Sequence, residues 1–219
     1  MERTGRRRTA WFDSYVAGVI DREVRALTDA TYLRELPRLL RLCAARTAGE
    51  LDVTDLARDL GLSRPTTDSY LAHLEAVFLI QTVPAWSTNL TARVVRRPKL
   101  TLTDTGLAAR LLGGRLRTDP ELAGRLVETL VMGELRAQAE WSETRPNLFH
   151  FRDRDGAEVD LVLESGDGRV VGVEVKAGAT VRADDLGGLR LLERRLGSDF
   201  AAGLVLCTAA EPRHLGGRL

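Results

Sequence analysis

The chain has 219 residues, 44% hydrophobic and 29% charged, with a formal net charge of +1. Such apolar content with so little net charge excludes a disordered chain and suffices for one large domain or two small ones. No run reaches the roughly 18 uninterrupted apolar residues of a membrane span, and the basic start MERTGRRRTAWFDS lacks the apolar stretch of a secretory signal.

Residues 11–47 read as helices. Trp11, Tyr15, Val19 and Ile20 recur at helical spacing, as do Leu33, Leu36, Leu39, Leu40 and Cys43, with Pro37 breaking or opening one of the helices. Gly49 and residues 50–52 make a turn. In VTDLARDLGLSRPTTDSYLAHLEAVFLI, residues 53–80, Thr54 is the expected cap of a short helix bearing Leu56, Ala57 and Leu60. Gly61 supplies a tight turn, and Ser63 caps a second helix with Pro65 in its first turn. There Leu71, Leu74 and Val77 face inward, while Arg64, Thr66, Thr67 and Ser69 face outward. This pattern predicts a helix-turn-helix. FLIQTV (78–83) and ARVVRRPKLTLTD (92–104) predict two strands of a wing over 78–103, carrying Arg93, Arg96, Arg97 and Lys99. Thr103 or Asp104 caps one more helix. The glycine-containing stretch 113–120 is the expected boundary, giving modules 1–116 and 120–219.

The second module has another rhythm. Residues 122–141 form an amphipathic helix, with Leu126, Leu130, Val131, Met132 and Leu135 inward and Arg125, Arg136 and Gln138 outward. Strands follow at 147–152, 157–164 and 169–178, then a helix at 183–196 and a buried strand at 200–208. The order is αβββαβ, and the fold class is α/β (α+β): a helical winged region followed by an αβββαβ core.

Cys43 and Cys207 lie far apart with no C-x-x-C spacing, so neither a disulfide nor a zinc framework is expected, and a reducing cytoplasm is the default compartment. Residues 1–118 carry 19 Lys and Arg against 13 Asp and Glu, a charge of +6; residues 119–219 carry 13 against 18, a charge of −5. Two modules with different electrostatic work would give this asymmetry, and so would scattered surface charge. Among 32 basic residues only Lys99 and Lys176 are lysine. The three tryptophans, Trp11, Trp86 and Trp141, read as core or edge residues. His73, His150 and His214 read as structural or exposed, and Arg6–Arg8 as a solvated end.

The residues that can carry chemistry lie on two strands. Alternation puts Glu158, Asp160 and Val162 on one face of their strand, and Glu174 with Lys176 on one face of the next. The turn SGDG at 165–168 pairs the two strands, bringing Asp160 beside Glu174 or Lys176. Two carboxylates buried together repel unless a cation sits between them. Oxygen ligands without His or Cys point to Mg²⁺ or Mn²⁺, and such an ion beside a lysine suits phosphodiester hydrolysis. Glu134, on the preceding helix, is placed to complete the shell. The plainer reading of Glu-x-Lys on a strand is a surface ion pair.

Asp160 with Glu174-Val175-Lys176, and Glu134 on the helix before, resembles the PD-(D/E)XK nuclease signature on its αβββαβ core, which implies a restriction-endonuclease-like fold for the second module. The segments WFDSYVAGVIDREV, LARDLGLSRPTTDSYLAHLEAVFLI, LTDTGLAARLLG, LVETLVMGELR, FHFRDRDGAEVDLVLE and VVGVEVKAG, in order over nearly the whole chain, resemble the bacterial family called domain of unknown function 4143. Members of that family usually follow an AAA-type ATPase domain. The resemblance implies Asp160, Glu174 and the Val175 carbonyl as metal ligands, Lys176 as the catalytic lysine and Glu134 as an auxiliary acid. It makes Arg152 and Arg154 candidates for phosphate contact, with a plain surface role as the alternative. No G-x-x-x-x-G-K-[ST] and no Gly-Lys pair is present, so no ATP site is expected in this chain. It ends soon after the last core strand, which reads as a shortened gene product or as one whose ATPase is another chain.

Two functions follow as expectations. The first is a metal-dependent nuclease held on DNA by Arg64, Thr66, Thr67 and the basic wing, which contacts phosphate more than bases. The second is a non-catalytic DNA-binding or protein-docking module of an ATPase system. No membrane association is expected.

Overall fold

The structure, a computed structural model, describes residues 2–20, 35–113 and 118–219. Leu33 and positions 114–117 of the expected boundary lie outside the described residues. In chain order the helices are α1 (Glu2–Val19), α2 (Leu36–Ala45), α3 (Val53–Leu60), α4 (Arg64–Ala76), α5 (Leu90–Val95), α6 (Thr105–Leu112), α7 (Pro120–Trp141) and α8 (Gly187–Leu196). The strands are β1 (Gly49–Glu50), β2 (Ile80–Val83), β3 (Lys99–Leu102), β4 (Asn147–Arg152), β5 (Glu158–Glu164), β6 (Val170–Val175) and β7 (Phe200–Leu206). Two compact units emerge, Met1–Thr82 with Leu100–Leu122 and Val83–Lys99 with Ala123–Leu219. Residues 83–99, read from sequence as part of the first module, belong to the second unit.

In the first unit, Pro37 sits in the opening turn of α2, whose Leu36, Leu39, Leu40 and Cys43 are buried at helical spacing. Asp52, not Thr54, caps α3: its extended backbone lets the carboxylate accept from the Thr54 and Asp55 amides. Gly61 closes α3 at φ +71°, the left-handed conformation that glycine adopts without strain. Ser63 then caps α4 by accepting from the Thr66 amide. Thr67 is buried, contrary to its expected outward position. It shares the face of Tyr70, Leu71 and Leu74, three, four and seven residues on, and donates its hydroxyl to the Ser63 carbonyl at 3.0 Å. The small sheet runs β1-β3-β2.

The expected second wing strand is corrected. Residues 90–95 are helix α5, because the Asn89 side chain accepts from the Thr91 and Ala92 amides and so starts a helix in a stretch whose valines favour a strand. Only Lys99–Leu102 remains as strand.

In the second unit the order α7-β4-β5-β6-α8-β7 matches the expected αβββαβ. The sheet runs β4-β5-β6-β7, antiparallel except for the parallel β6–β7 pair. One apolar cluster joins Phe151, Val159, Val162, Val170 and Phe200 to Leu189 and Leu192 of α8. A second joins Leu161, Val173, Val175 and Val83 to Met132 of α7. The simple alternation expected along β5 does not hold. Phe149 pairs with Val162 and Phe151 with Val159, so three steps on β5 oppose two on β4. The extra residue is a β-bulge at 160–161, and it returns Val162 to the cluster of Val159. Trp86 is buried as expected, whereas Trp11 and Trp141 are exposed. No helix among the described residues is long and apolar enough to cross a membrane.

Candidate active site

At the bulge, the Asp160 carboxylate meets the Val175 amide and the Lys99 ammonium. Alternate amides of a strand point to opposite neighbours. On β6 the Lys176 amide donates to Leu206 of β7, so the Val175 amide points toward β5. There Asp160 Oδ2 accepts from it at 2.9 Å. The Val175 backbone and the Asp160 carboxylate are thereby locked together. Asp160 Oδ1 lies 3.3 Å from Lys99 Nζ.

Glu174 is buried beside Asp160. Its Oε1 accepts from Lys176 Nζ at 3.0 Å, while its Oε2 is buried with no hydrogen-bond partner. Burial pushes the Glu174 carboxyl well above the ordinary range, and the Asp160 charge adds to this, against the pull of Lys176 and Lys99. Lys176 Nζ also reaches Asp185 at 3.2 Å, and its side chain stays 30% exposed. Burial lowers its ammonium pKa, but the bonds to Glu174 and Asp185 outweigh this and hold it above the usual lysine value.

Lys99 is the surprise of the site. Expected on a basic wing, it is 2% exposed and sits among three carboxylates. Its Nζ lies 2.6 Å from Glu128, 3.1 Å from Glu158 and 3.3 Å from Asp160. Burial opposes its charge, yet these acids hold the ammonium above the ordinary lysine range. Glu128, half-buried on α7, is pushed upward by desolvation despite Lys99. Glu134, the expected auxiliary acid, is exposed. The cause is helical phase: Glu128 lies four residues before buried Met132 and shares its face, whereas Glu134 lies two beyond, roughly 200° round the axis. That phase is the sequence signal for Glu128.

The comparisons with known proteins divide at nearly the same place as the fold. Residues 1–118 match a domain of unknown function, DUF8612, and residues 123–219 match a domain of unknown function, DUF4143. The chain belongs to the DUF8612 family, and its residues 123–219 match the DUF4143 model. The DUF4143 match thus covers the second part alone, with DUF8612 where the sequence resemblance extended forward. Uncharacterized proteins of Mycobacterium tuberculosis and Mycobacterium bovis are each 30% identical over 176 residues, covering 78% of this chain. The chain spans 38% of the length of those relatives. No solved structure matches.

The β4–β7 sheet brings together Asp160, Glu174, Val175 and Lys176, with Glu158, and Lys99 from β3 and Glu128 from α7 join them. The nucleic-acid candidates fare differently. Arg93 is not a free surface cation: its guanidinium forks onto Glu164 at 2.5 and 2.7 Å, its Nε donates to the Ser87 carbonyl, and it lies over the Trp86 and Phe149 rings. Arg96 donates to the Arg152 carbonyl at 3.0 Å, and Arg152 lies 3.7 Å from Glu158. Arg97 and Arg154 are exposed, as is Arg64, 3.8 Å from Asp68. Thr66 spends its amide and hydroxyl on the Ser63 cap. Arg93→Ala should cost about 1.5–3 kcal/mol in urea denaturation, because Glu164 is left half-buried without its cation. An unchanged midpoint would place the pair among weak surface bridges.

Stability should depend on pH through the same groups. Burial lowers His150 to about 4, so stability rises with pH from there to about 6.5. Glu128 and Glu174 are raised in the folded state, so their contribution is full below the ordinary carboxylate range and is lost as pH climbs through their folded values. Between pH 6.5 and about 8.5 His150 is neutral in both states and only the fall remains. Chelator-treated protein should therefore unfold at lower urea at the upper end of that window; a flat or rising midpoint would contradict the burial of these acids.

Proposed function

We propose that the DUF4143 part is a metal-dependent nuclease acting on nucleic-acid phosphodiesters, with its centre at Asp160, Glu174 and Lys176. The observation that carries this reading is the buried, unpartnered Oε2 of Glu174 beside the Asp160 carboxylate. An acceptor left without a donor in such a place calls for a cation. The donor set is hard oxygen, which fits Mg²⁺ or Mn²⁺, held by Asp160 and Glu174 with the Val175 carbonyl as a further ligand. When bound, such an ion polarises the phosphoryl oxygen and lowers the pKa of a coordinated water. Lys176, charged and partly exposed, orients a water near Glu174 and balances negative charge developing on phosphate. Glu128 takes the auxiliary place first given to Glu134.

DNA is the proposed substrate and partner, with the helix-turn-helix α3–α4 adding affinity through exposed Arg64. A separate AAA-type ATPase, by family resemblance, and a reducing cytoplasmic setting, by cysteine usage, complete the proposal. One observation favours the non-catalytic alternative: the Lys99 ammonium already neutralises part of the acidic site.

Cleavage separates the two. The purified chain is incubated with linear, branched and single-stranded DNA in Mn²⁺ or Mg²⁺, beside Asp160→Asn and Lys176→Ala. Activity in the wild type alone supports the nuclease; equal products from all three proteins reveal a contaminant and leave the non-catalytic reading.

A further inference from the structure

We propose that the Lys99 ammonium and a divalent cation are alternative occupants of one carboxylate cage, so that Lys99 acts as a tethered counter-ion regulating metal entry. This rests on the metal site proposed above.

The cage is built to ammonium dimensions. An ammonium has three N–H donors, and three carboxylates, Glu128, Glu158 and Asp160, stand at 2.6, 3.1 and 3.3 Å from Nζ. Arginine's planar fork does not match three acceptors converging on a point. A chain that uses arginine at all but two basic positions keeps lysine here. Lys99 is 2% exposed, and the Asp160 and Glu128 side chains only 11% and 14%, so these two acids have little bulk water for compensation, while Glu158, at 38%, keeps some. Remove the ammonium, and another cation or protons must replace it.

The same cage is continuous with the proposed metal site. Asp160 belongs to both: Oδ1 faces Lys99, and its charge acts on Glu174, whose Oε2 is buried and unpartnered. Among the described residues no three His, Cys, Asp or Glu side chains stand grouped to hold a metal as they are. The ammonium is the reason on this reading: it spaces the acids for hydrogen bonds, wider than the roughly 2.0–2.1 Å that magnesium demands. An ion binding Asp160 must draw this carboxylate away from Lys99, or displace the ammonium. Either costs affinity, and Lys99 thereby sets the metal concentration at which the site fills.

The test is Mn²⁺ titration by calorimetry, with thermal melts in EDTA and in Mn²⁺, on wild type, Lys99→Met, Lys176→Met and Asp160→Asn. Lys99→Met should bind Mn²⁺ about tenfold more tightly or better. Its melting temperature should fall in EDTA and recover in Mn²⁺, whereas the wild type responds little. Lys176→Met removes an equal charge beside Glu174 and should tighten binding much less. Asp160→Asn should lose the ion. Equal gains in the two lysine variants mean bulk electrostatics and overturn the competition. So does Lys99→Met binding no tighter than wild type, and in that case the metal site itself stands. No Mn²⁺ uptake by any protein removes the metal site and the proposal with it. Lys99→Gln, which keeps a donor but no charge, repeats the test if Lys99→Met does not fold; failure of both to fold in Mn²⁺ as well as EDTA shows that a metal cannot replace the ammonium, and overturns it too.

Discussion

Asp160→Asn should reduce metal-dependent DNA cleavage by at least about 100-fold, beyond the 10–100-fold typical of losing an outer-shell partner, with the fold preserved. The amide oxygen still accepts from the Val175 amide, the bond that ties β5 to β6 at the bulge. What disappears is the negative charge that faces Glu174 and Lys99. Loss of activity with an unchanged circular-dichroism spectrum is the expected result. Undiminished cleavage by this variant would remove Asp160 from the chemistry and end the nuclease reading. Glu174→Gln tests the other half, since it leaves an acceptor for Lys176 and removes the second charge.

The second large effect concerns folding. In α8, Gly188 rests on the backbone of β5: a Cβ built there would stand 1.8 Å from the Glu158 carbonyl oxygen and 2.9 Å from Val159 Cγ2. Backbone cannot move aside as a side-chain tip can. Gly188→Ala should therefore cost more than about 3 kcal/mol, the upper end of ordinary overpacking, or leave the chain unable to fold. Gly187 is the internal control, because a Cβ there meets nothing within 4 Å. Gly187→Ala should be neutral or stabilising by up to about 1 kcal/mol through a less flexible unfolded chain. Urea denaturation of the pair reads the contrast directly, and similar midpoints would show that α8 is not seated on β5 as described. Glu158 also contacts Lys99, so a folded Gly188→Ala protein would report on the acidic cage as well.

How much of this was legible beforehand depended on whether the deciding interactions were local. The Ser63 cap, the Gly61 turn and the αβββαβ order all follow from spacing, periodicity and turn chemistry within a few residues. Asp160, Glu174 and Lys176 were readable because a short turn joins their strands and pairing follows from it. Where propensity competed with a cap, as at 90–95, the local pattern misled: Asn89 started a helix in valines that prefer a strand. Glu128 went unread although its phase relative to Met132 was local information, while Glu134 is exposed.

The sequence by itself determined which residue types could meet a metal and which frame would carry them. Only the tertiary structure decided where the charges went. A single extra residue in β5 reversed the face of everything beyond it, and no alternation count anticipates a bulge. Lys99 and Arg93 look alike in sequence, two cations in one basic stretch, yet one fills a carboxylate cage and the other forks onto Glu164. Their carboxylate partners lie from 29 to 71 residues away, and burial, which makes an unpaired charge so costly, is a property of the assembled sheet alone.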